Sequence, residues 1–383
     1  MNTPQTVSSP APEVSVLERA HERLAAFAFI ALMAVGAWQM FGAMAKHSEM
    51  EYPRSWADFK EGRMTTTLEK QLDQKLPWRD GLIATANGLR YALLDGAADQ
   101  VRVGRGNWLF LTEELRYDAQ GAEHLAARVE LLQGVNQALK KKGTTLIVAL
   151  VPDKARVYAD QLRAGAYPAY NQDRYAQALA ALNERGVPTV DLLHAYETAR
   201  ASQEIYYRTD THWNQVGAAL AAQRIADTAR TLKLSWPTTA YQTTQSTDVT
   251  PRQGDLMRLM GLAPLPASWR PADDLEAEAQ TQAQSGGASA GLGLFGDVQV
   301  PVTLLGTSFS QRGNFQGYLQ QSLSAQVLNM AKDGGGFLGA ASSYFADDAF
   351  KTSPPKLVVW EVPERFLTPA LKDEKGWLAR QGW

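Results

Sequence analysis

"TTLIVALV", Thr144 to Val151, ends in six consecutive apolar residues and runs into Pro152. A strand with one solvated face would alternate polar and apolar side chains. A continuous apolar run suits a strand buried on both faces, as in a parallel sheet covered by helices. The flanking sequence supports that reading. Upstream, Glu123 to Lys142 carries helical apolar spacing and stops at Gly143. Downstream, Arg174 to Arg185 predicts a helix ending at Gly186, "VPTVDLL" a short strand, and Trp213 to Leu232 a long amphipathic helix. The alternation resumes late in the chain. "VPVTLLGTS" predicts a strand, Phe315 to Leu323 a helix, "AQVLNM" a strand, Phe337 to Phe350 a helix and "KLVVWEV" a last strand. Strand and helix in turn argue for an α/β fold, a mainly parallel sheet flanked by helices.

Before this region, "VRVGRGNWLFL" reads as a hairpin turned at Gly104 and Gly106, with Trp108, Leu109 and Phe110 aimed at a core. Earlier still, the sequence predicts two helices broken at Pro77, Arg79 to Leu94 being the clearer. Residues 236–298 are rich in Thr, Gln, Ala and Gly and show no clear periodicity. They read as an irregular insertion that splits one sheet, so residues 46–383 form a single domain.

Composition narrows the function classes. The 383 residues are 45% hydrophobic, enough for a sizeable core. Basic and acidic residues number 38 and 40, for a net charge of -2 without a long basic run, so nothing supports nucleic-acid binding. The chain has no cysteine, which excludes disulfides and cysteine zinc sites.

"LAAFAFIALMAVGAWQMFGAMA", Leu24 to Ala45, contains one strongly polar residue, Gln39, and matches the hydrocarbon span of a bilayer. Arg19 and Arg23 precede it and Lys46 follows. This predicts a cytoplasmic tail over residues 1–23, a single-pass transmembrane helix over 24–45, and the rest outside the cytoplasm. Ala43-Met44-Ala45 also resembles a signal-peptide cleavage site, but the apolar run exceeds the usual length of such peptides. A buried soluble helix is the third reading.

"YYRTDTHWNQVGA", Tyr206 to Ala218, sets Asp210 two residues before His212, on the same side of an extended backbone. A carboxylate beside an imidazole orients the ring, which is two thirds of a nucleophilic triad. The plainer alternative is a helix start at which Asp210 or Asn214 caps free N–H groups. A third partner stands in "LLGTSFSQRGN". There a buried strand runs into Gly306-Thr307-Ser308 ahead of a helix, which puts a serine at the carboxyl edge of a parallel sheet. An ordinary strand-to-helix turn capped by Ser or Thr would look similar. Yet a serine becomes a competent nucleophile beside an oriented base, and the chain supplies one.

With these residues in view, the sequence resembles the alginate O-acetyltransferase family of the AlgJ/AlgX type, whose catalytic domain is a permuted relative of the SGNH hydrolases. The resemblance spans about Lys60 to Phe366. It rests on Gly106-Asn107-Trp108-Leu109-Phe110, Val151-Pro152-Asp153-Lys154, Thr209-Asp210-Thr211-His212-Trp213, Gly254-Asp255-Leu256, Gly306-Thr307-Ser308 and Trp360-Glu361-Val362-Pro363-Glu364-Arg365. SGNH hydrolases place the nucleophile first and Asp-x-x-His last; here the order is reversed and the spacing one shorter. The resemblance implies Ser308 as nucleophile, His212 as base and Asp210 as its orienter. The chain ends soon after its last strand, where AlgX-type proteins carry a carbohydrate-binding module, so it looks closer to the anchored AlgJ type.

The resemblance further implies O-acetylation of an exopolysaccharide through an acetyl-serine. The acetyl donor would be a multi-pass membrane acyltransferase, the catalytic domain would lie in the periplasm at the inner membrane, and no cofactor is implied. Asn314 is a candidate oxyanion donor or helix cap. Arg312, Tyr207 and Lys154 are candidates to contact an anionic sugar. His124 and His194 have no carboxylate pattern beside them and read as fillers, and Asp255 has no assigned role. One His with one Asp makes a poor metal set. Two other functions fit the same residues, a carbohydrate esterase or deacetylase and a non-catalytic anchored scaffold of an export complex.

Overall fold

The computed structural model describes residues 98–284 and 300–382 without a break, residues 79–94, and short stretches between residues 26 and 66. The chain divides into two units, Met1–Ile83 and Ala84–Trp383. In the first, the described residues between 26 and 42 are helical, and Phe27, Ile30, Met33 and Trp38 are exposed. Among the described residues no helix is long and apolar enough to cross a membrane. The predicted span at Leu24–Ala45 lies in part outside them.

The second unit is built on five parallel strands. In chain order the strands are β1 (Val101–Val103), β2 (Leu109–Leu111), β3 (Thr145–Val151), β4 (Thr189–Asp191), β5 (Tyr241–Arg252), β6 (Asp274–Ala283), β7 (Val302–Leu305), β8 (Val327–Asn329) and β9 (Leu357–Pro363). The main sheet runs β4-β3-β9-β7-β8, every pair parallel. The last strand thus enters the centre, between the two halves the chain has already laid down. Pairs β1-β2 and β5-β6 are separate antiparallel ribbons.

Strand β3 shows why an unbroken apolar run is needed. Ile147, Ala149 and Val151 face one core, with Leu304, Val359 and the Ala218, Ala221, Ala222 and Ile225 face of helix Gln215–Thr231. Leu146, Val148 and Leu150 face the other, with Val358, Trp360 and residues of helices Gly121–Lys141, Arg174–Glu184 and Gly339–Ala346. Each such fully buried aliphatic side chain contributes about 1.5–3 kcal/mol.

Two expectations are corrected. The segment read as irregular, 236–298, contains the β5-β6 ribbon, whose strands are mostly exposed. With neither face buried, no apolar alternation marks them. The helix predicted over Phe337–Phe350 is two, Gly339–Ala346 and Asp348–Thr352. Asp347 between them is extended, and its carboxylate accepts the Ala349 N–H as a cap.

Candidate active site

Tyr206 and Trp213 pair in an isolated antiparallel bridge, closing the chain between them into a tight loop. Both rings are buried, and the Tyr206 hydroxyl donates to Pro152 O beyond the end of β3. Asn214 caps the following helix, its side chain accepting the Val216 and Gly217 N–H groups. Capping is therefore Asn214's task, and Asp210 is free for another. The Asp274 carboxylate holds the loop from one side, accepting the Arg208 N–H at 2.7 Å and the Thr209 N–H at 3.0 Å. Gly254 packs against it from another, where a Cβ would lie 2.0 Å from Thr209 O.

Within this loop His212 Nδ1 lies 2.6 Å from Asp210 Oδ1, and Nε2 lies 2.7 Å from Ser308 Oγ. Asp210 Oδ1 also accepts the His212 main-chain N–H, while Oδ2 accepts from Arg252 Nη1 and the Asp255 N–H, each at 3.0 Å. Burial opposes the charge on Asp210. The hydrogen bonds and charges of His212, with the Arg252 guanidinium, outweigh it and hold the carboxyl well below the usual range. Asp255 lies 3.5 Å from His212 Nδ1 through Oδ2 and accepts the Thr211 N–H through Oδ1. Burial and the neighbouring Asp210 charge push its carboxyl up.

Asp210, His212 and Asp255 could bring ligand atoms within 4.8 Å of one another. However, their acceptor sites are largely taken by protein donors, and a guanidinium already supplies the positive charge. That chemistry fits a proton relay better than a cation cage.

Ser308 follows β7 through Gly306 and Thr307 and begins a 3-10 turn, Ser308–Gln311. Buried Glu361 of β9 anchors the bend. It accepts the Thr307 N–H at 2.7 Å, the Thr307 hydroxyl at 3.0 Å and the Ser310 hydroxyl at 3.1 Å. A Cβ at Gly306 would come within 2.4 Å of Glu361 Oε2 and of Ser310 Oγ, so this bend requires glycine. Ser308 is half-buried whereas Asp210 and His212 are buried, and among the described residues no backbone acceptor takes the Ser308 N–H. Phe309 packs its ring 4.8 Å from the imidazole and 5.0 Å from Trp213, walling off the floor. The arrangement can remove a proton from Ser308 Oγ and offer a free N–H to an oxyanion.

Of the other candidates, Arg312 is a partly exposed side chain 3.8 Å from Asp333. Lys154 is corrected. It is buried, and its ammonium donates to the carbonyls of Leu109, Arg208 and Asp210, using all three of its N–H bonds on the main chain. Burial pulls it down to about 8, against nearby carboxylates that push it back up. Tyr207 is also buried; its hydroxyl donates to Glu276 and its ring lies beneath Arg252. Asn314 occupies the cap position of helix Phe315–Leu323 with φ 53°, but its side chain caps nothing and donates to Thr281 Oγ1 at 3.0 Å. His124 is buried against Thr368 O and His194 is exposed. Sequence reasoning missed Arg252 and the anchoring role of Glu361. The signal for Arg252 was its place two residues before Gly254-Asp255.

Residues 101–364 match the family model described as SGNH hydrolase-like domain, acetyltransferase AlgX. A probable alginate O-acetylase AlgJ of Pseudomonas syringae pv. tomato is 33% identical over 353 residues, 89% of this chain and 86% of that protein. Its counterpart in Azotobacter vinelandii is 31% identical over 341 residues, 88% of this chain and 87% of that protein. Among solved structures, the O-acetyltransferase domain of Pseudomonas putida AlgJ superposes with TM-score 0.64 at 34% identity, covering 73% of this chain and 98% of that one.

Proposed function

Because this chain belongs to the AlgJ/AlgX family of SGNH hydrolase-like acetyltransferases, we propose that it acetylates hydroxyls of a polysaccharide, alginate or a similar exopolysaccharide, through an acetyl-serine at Ser308. The observation that carries this reading is the continuous relay from Asp210 Oδ1 through His212 to Ser308 Oγ, at 2.6 and 2.7 Å.

In the first half-reaction His212 Nε2 takes the Ser308 proton as Oγ attacks the acetyl carbonyl. The Ser308 N–H stabilises the tetrahedral oxyanion. On collapse the donor's leaving oxygen departs with the proton from Nε2. In the second half, a sugar hydroxyl gives its proton to Nε2 and attacks the acetyl-serine. The proton returns to Ser308 Oγ as the acetylated sugar leaves. Asp210 keeps the imidazole in the tautomer that both halves need.

The relatives' names support alginate as the class of acceptor. The apolar run Leu24–Ala45, with Arg19 and Arg23 before it, supports a single-pass inner-membrane anchor and a periplasmic catalytic domain. A periplasmic enzyme cannot draw directly on cytoplasmic acetyl donors, so a multi-pass membrane acyltransferase is the partner that would deliver the acetyl group.

The test is incubation of the purified protein with 4-nitrophenyl acetate and a mannuronate oligosaccharide, followed by mass spectrometry. We expect an acetyl adduct on Ser308 and an acetylated oligosaccharide. Release of acetate alone, with every acceptor tried, would identify an esterase and overturn the transferase reading.

A further inference from the structure

The β5-β6 ribbon ends beside the triad, and the last residue of β5 is Arg252. We propose that Arg252 is a positioning residue for acyl transfer: its guanidinium fixes the outer oxygen of Asp210 so that the inner one stays aligned on His212. The proposal deepens the reading of Ser308 as an acetyl carrier and rests on it.

A carboxylate that orients a base must resist rotation about its own side chain. Oδ1 of Asp210 is committed to His212, through the ring and the main chain. Among the described residues, Arg252 Nη1 and the Asp255 N–H alone hold Oδ2. Arg252 is itself held by two further groups. Its Nε lies 3.2 Å from Glu276 Oε2 on β6, its plane lies 4.1 Å over the Tyr207 ring, and Tyr207 in turn donates to Glu276. Gln215 Nε2 holds the same Glu276 carboxylate at 2.9 Å. Arg252 pairs with Asp274 across the ribbon and Thr250 with Glu276, so Arg252 and Glu276 are diagonal neighbours, within reach of long side chains. The ribbon thus delivers one preorganised cation to one carboxylate oxygen.

Charge makes the same demand. The groups facing Asp210 are the His212 ring, the Arg252 guanidinium, the Asp255 carboxylate and, on its main-chain carbonyl, the Lys154 ammonium. Two carboxylates lie within 3.5 Å of the one imidazole nitrogen, Nδ1 of His212. Arg252 offsets one of those negative charges. Its side chain is only 23% exposed, so solvent screens it incompletely.

The experiment compares wild type with Arg252→Ala, Arg252→Gln and Arg252→Lys. It reads Ser308-dependent turnover of 4-nitrophenyl acetate from pH 5 to 9 and the titration of the His212 ring by NMR. Removing the cation in the Ala and Gln variants should lower kcat about tenfold with little change in KM. It should also move the acid limb of the turnover profile up by about one pH unit. The Lys variant keeps the charge and should restore the limb. The Gln variant keeps a folded comparison should the Ala variant unfold. An acid limb and ring titration unmoved in a folded Ala or Gln variant would overturn the proposal, whatever happens to the rate. Failure of the acyl-serine reading is separately visible, as turnover that survives Ser308→Ala.

Discussion

Ser308 Oγ stands 2.7 Å from His212 Nε2 although 96 positions of chain separate the two residues. The contact exists because β7 and the loop after β4 deliver their ends to one edge of the sheet. If that contact is the catalytic one, the losses on mutation should be ranked. Ser308→Ala and His212→Ala should each lower acetyl transfer by about 10⁴-fold or more, and Asp210→Ala by less. Single-turnover kinetics on the three variants check the order. Asp210→Ala as the most damaging of the three would contradict the assignment.

Lys154 makes a different kind of prediction. Its ammonium satisfies three main-chain carbonyls, one belonging to Asp210. Lys154→Met leaves the Leu109 and Asp210 carbonyls without this donor, while Arg208 O keeps the Leu109 N–H; it should cost about 2–6 kcal/mol of stability, since each unsatisfied buried group costs about 1–3. Chemical denaturation measures this. Kinetics below the variant's melting range should show KM for the oligosaccharide unchanged; a raised KM would restore Lys154 as a sugar contact.

Glu361 gives a pH signature. Burial raises its carboxyl above the usual glutamate value, against the hydrogen bonds of Thr307 and Ser310 and the Arg365 charge, which lower it. The folded state therefore holds this proton more tightly than the unfolded chain. Its favourable contribution is full at low pH and is lost as pH rises through the ordinary glutamate range towards the raised value. Glu361→Gln removes that titration. The variant should thus gain stability relative to wild type as pH rises above about 4. Paired melting curves across this range test the sign, because Glu114 and Asp153 titrate in both proteins and cancel.

Arg312, partly exposed and only loosely paired with Asp333, is the sequence-derived contact that remains available to an anionic acceptor. Arg312→Ala should raise KM for a uronate oligosaccharide about threefold to fivefold, the scale of an exposed ion pair. The increase should shrink at high salt, where the Debye length falls to about 3 Å. Oligosaccharide kinetics at low and high salt decide it, and a salt-independent KM would rule the contact out.

Local pattern sufficed wherever burial imposed it. The strands β3, β7 and β9 were legible because a strand covered on both faces must be apolar at nearly every position, and these are, Thr145, Thr303 and Glu361 excepted. Helix Phe315–Leu323 and the turn glycines were legible for equally local reasons. Ser308, His212 and Asp210 could be named because few residue types perform that chemistry and a buried strand running into Gly-Thr-Ser puts a serine at the carboxyl edge of a parallel sheet. The tertiary structure alone decided what the polar side chains do. Lys154 looked like a free cation and is buried on carbonyls; Arg252 carried no periodic signal and sits on Asp210; Glu361 read as an ordinary strand residue and holds the bend before Ser308. The β5-β6 ribbon escaped notice because both its faces meet solvent or polar neighbours. A hydrophobic pattern records which faces are buried along a single element. The partner of a buried charge is set by whichever distant element packs against it, and no local spacing encodes that.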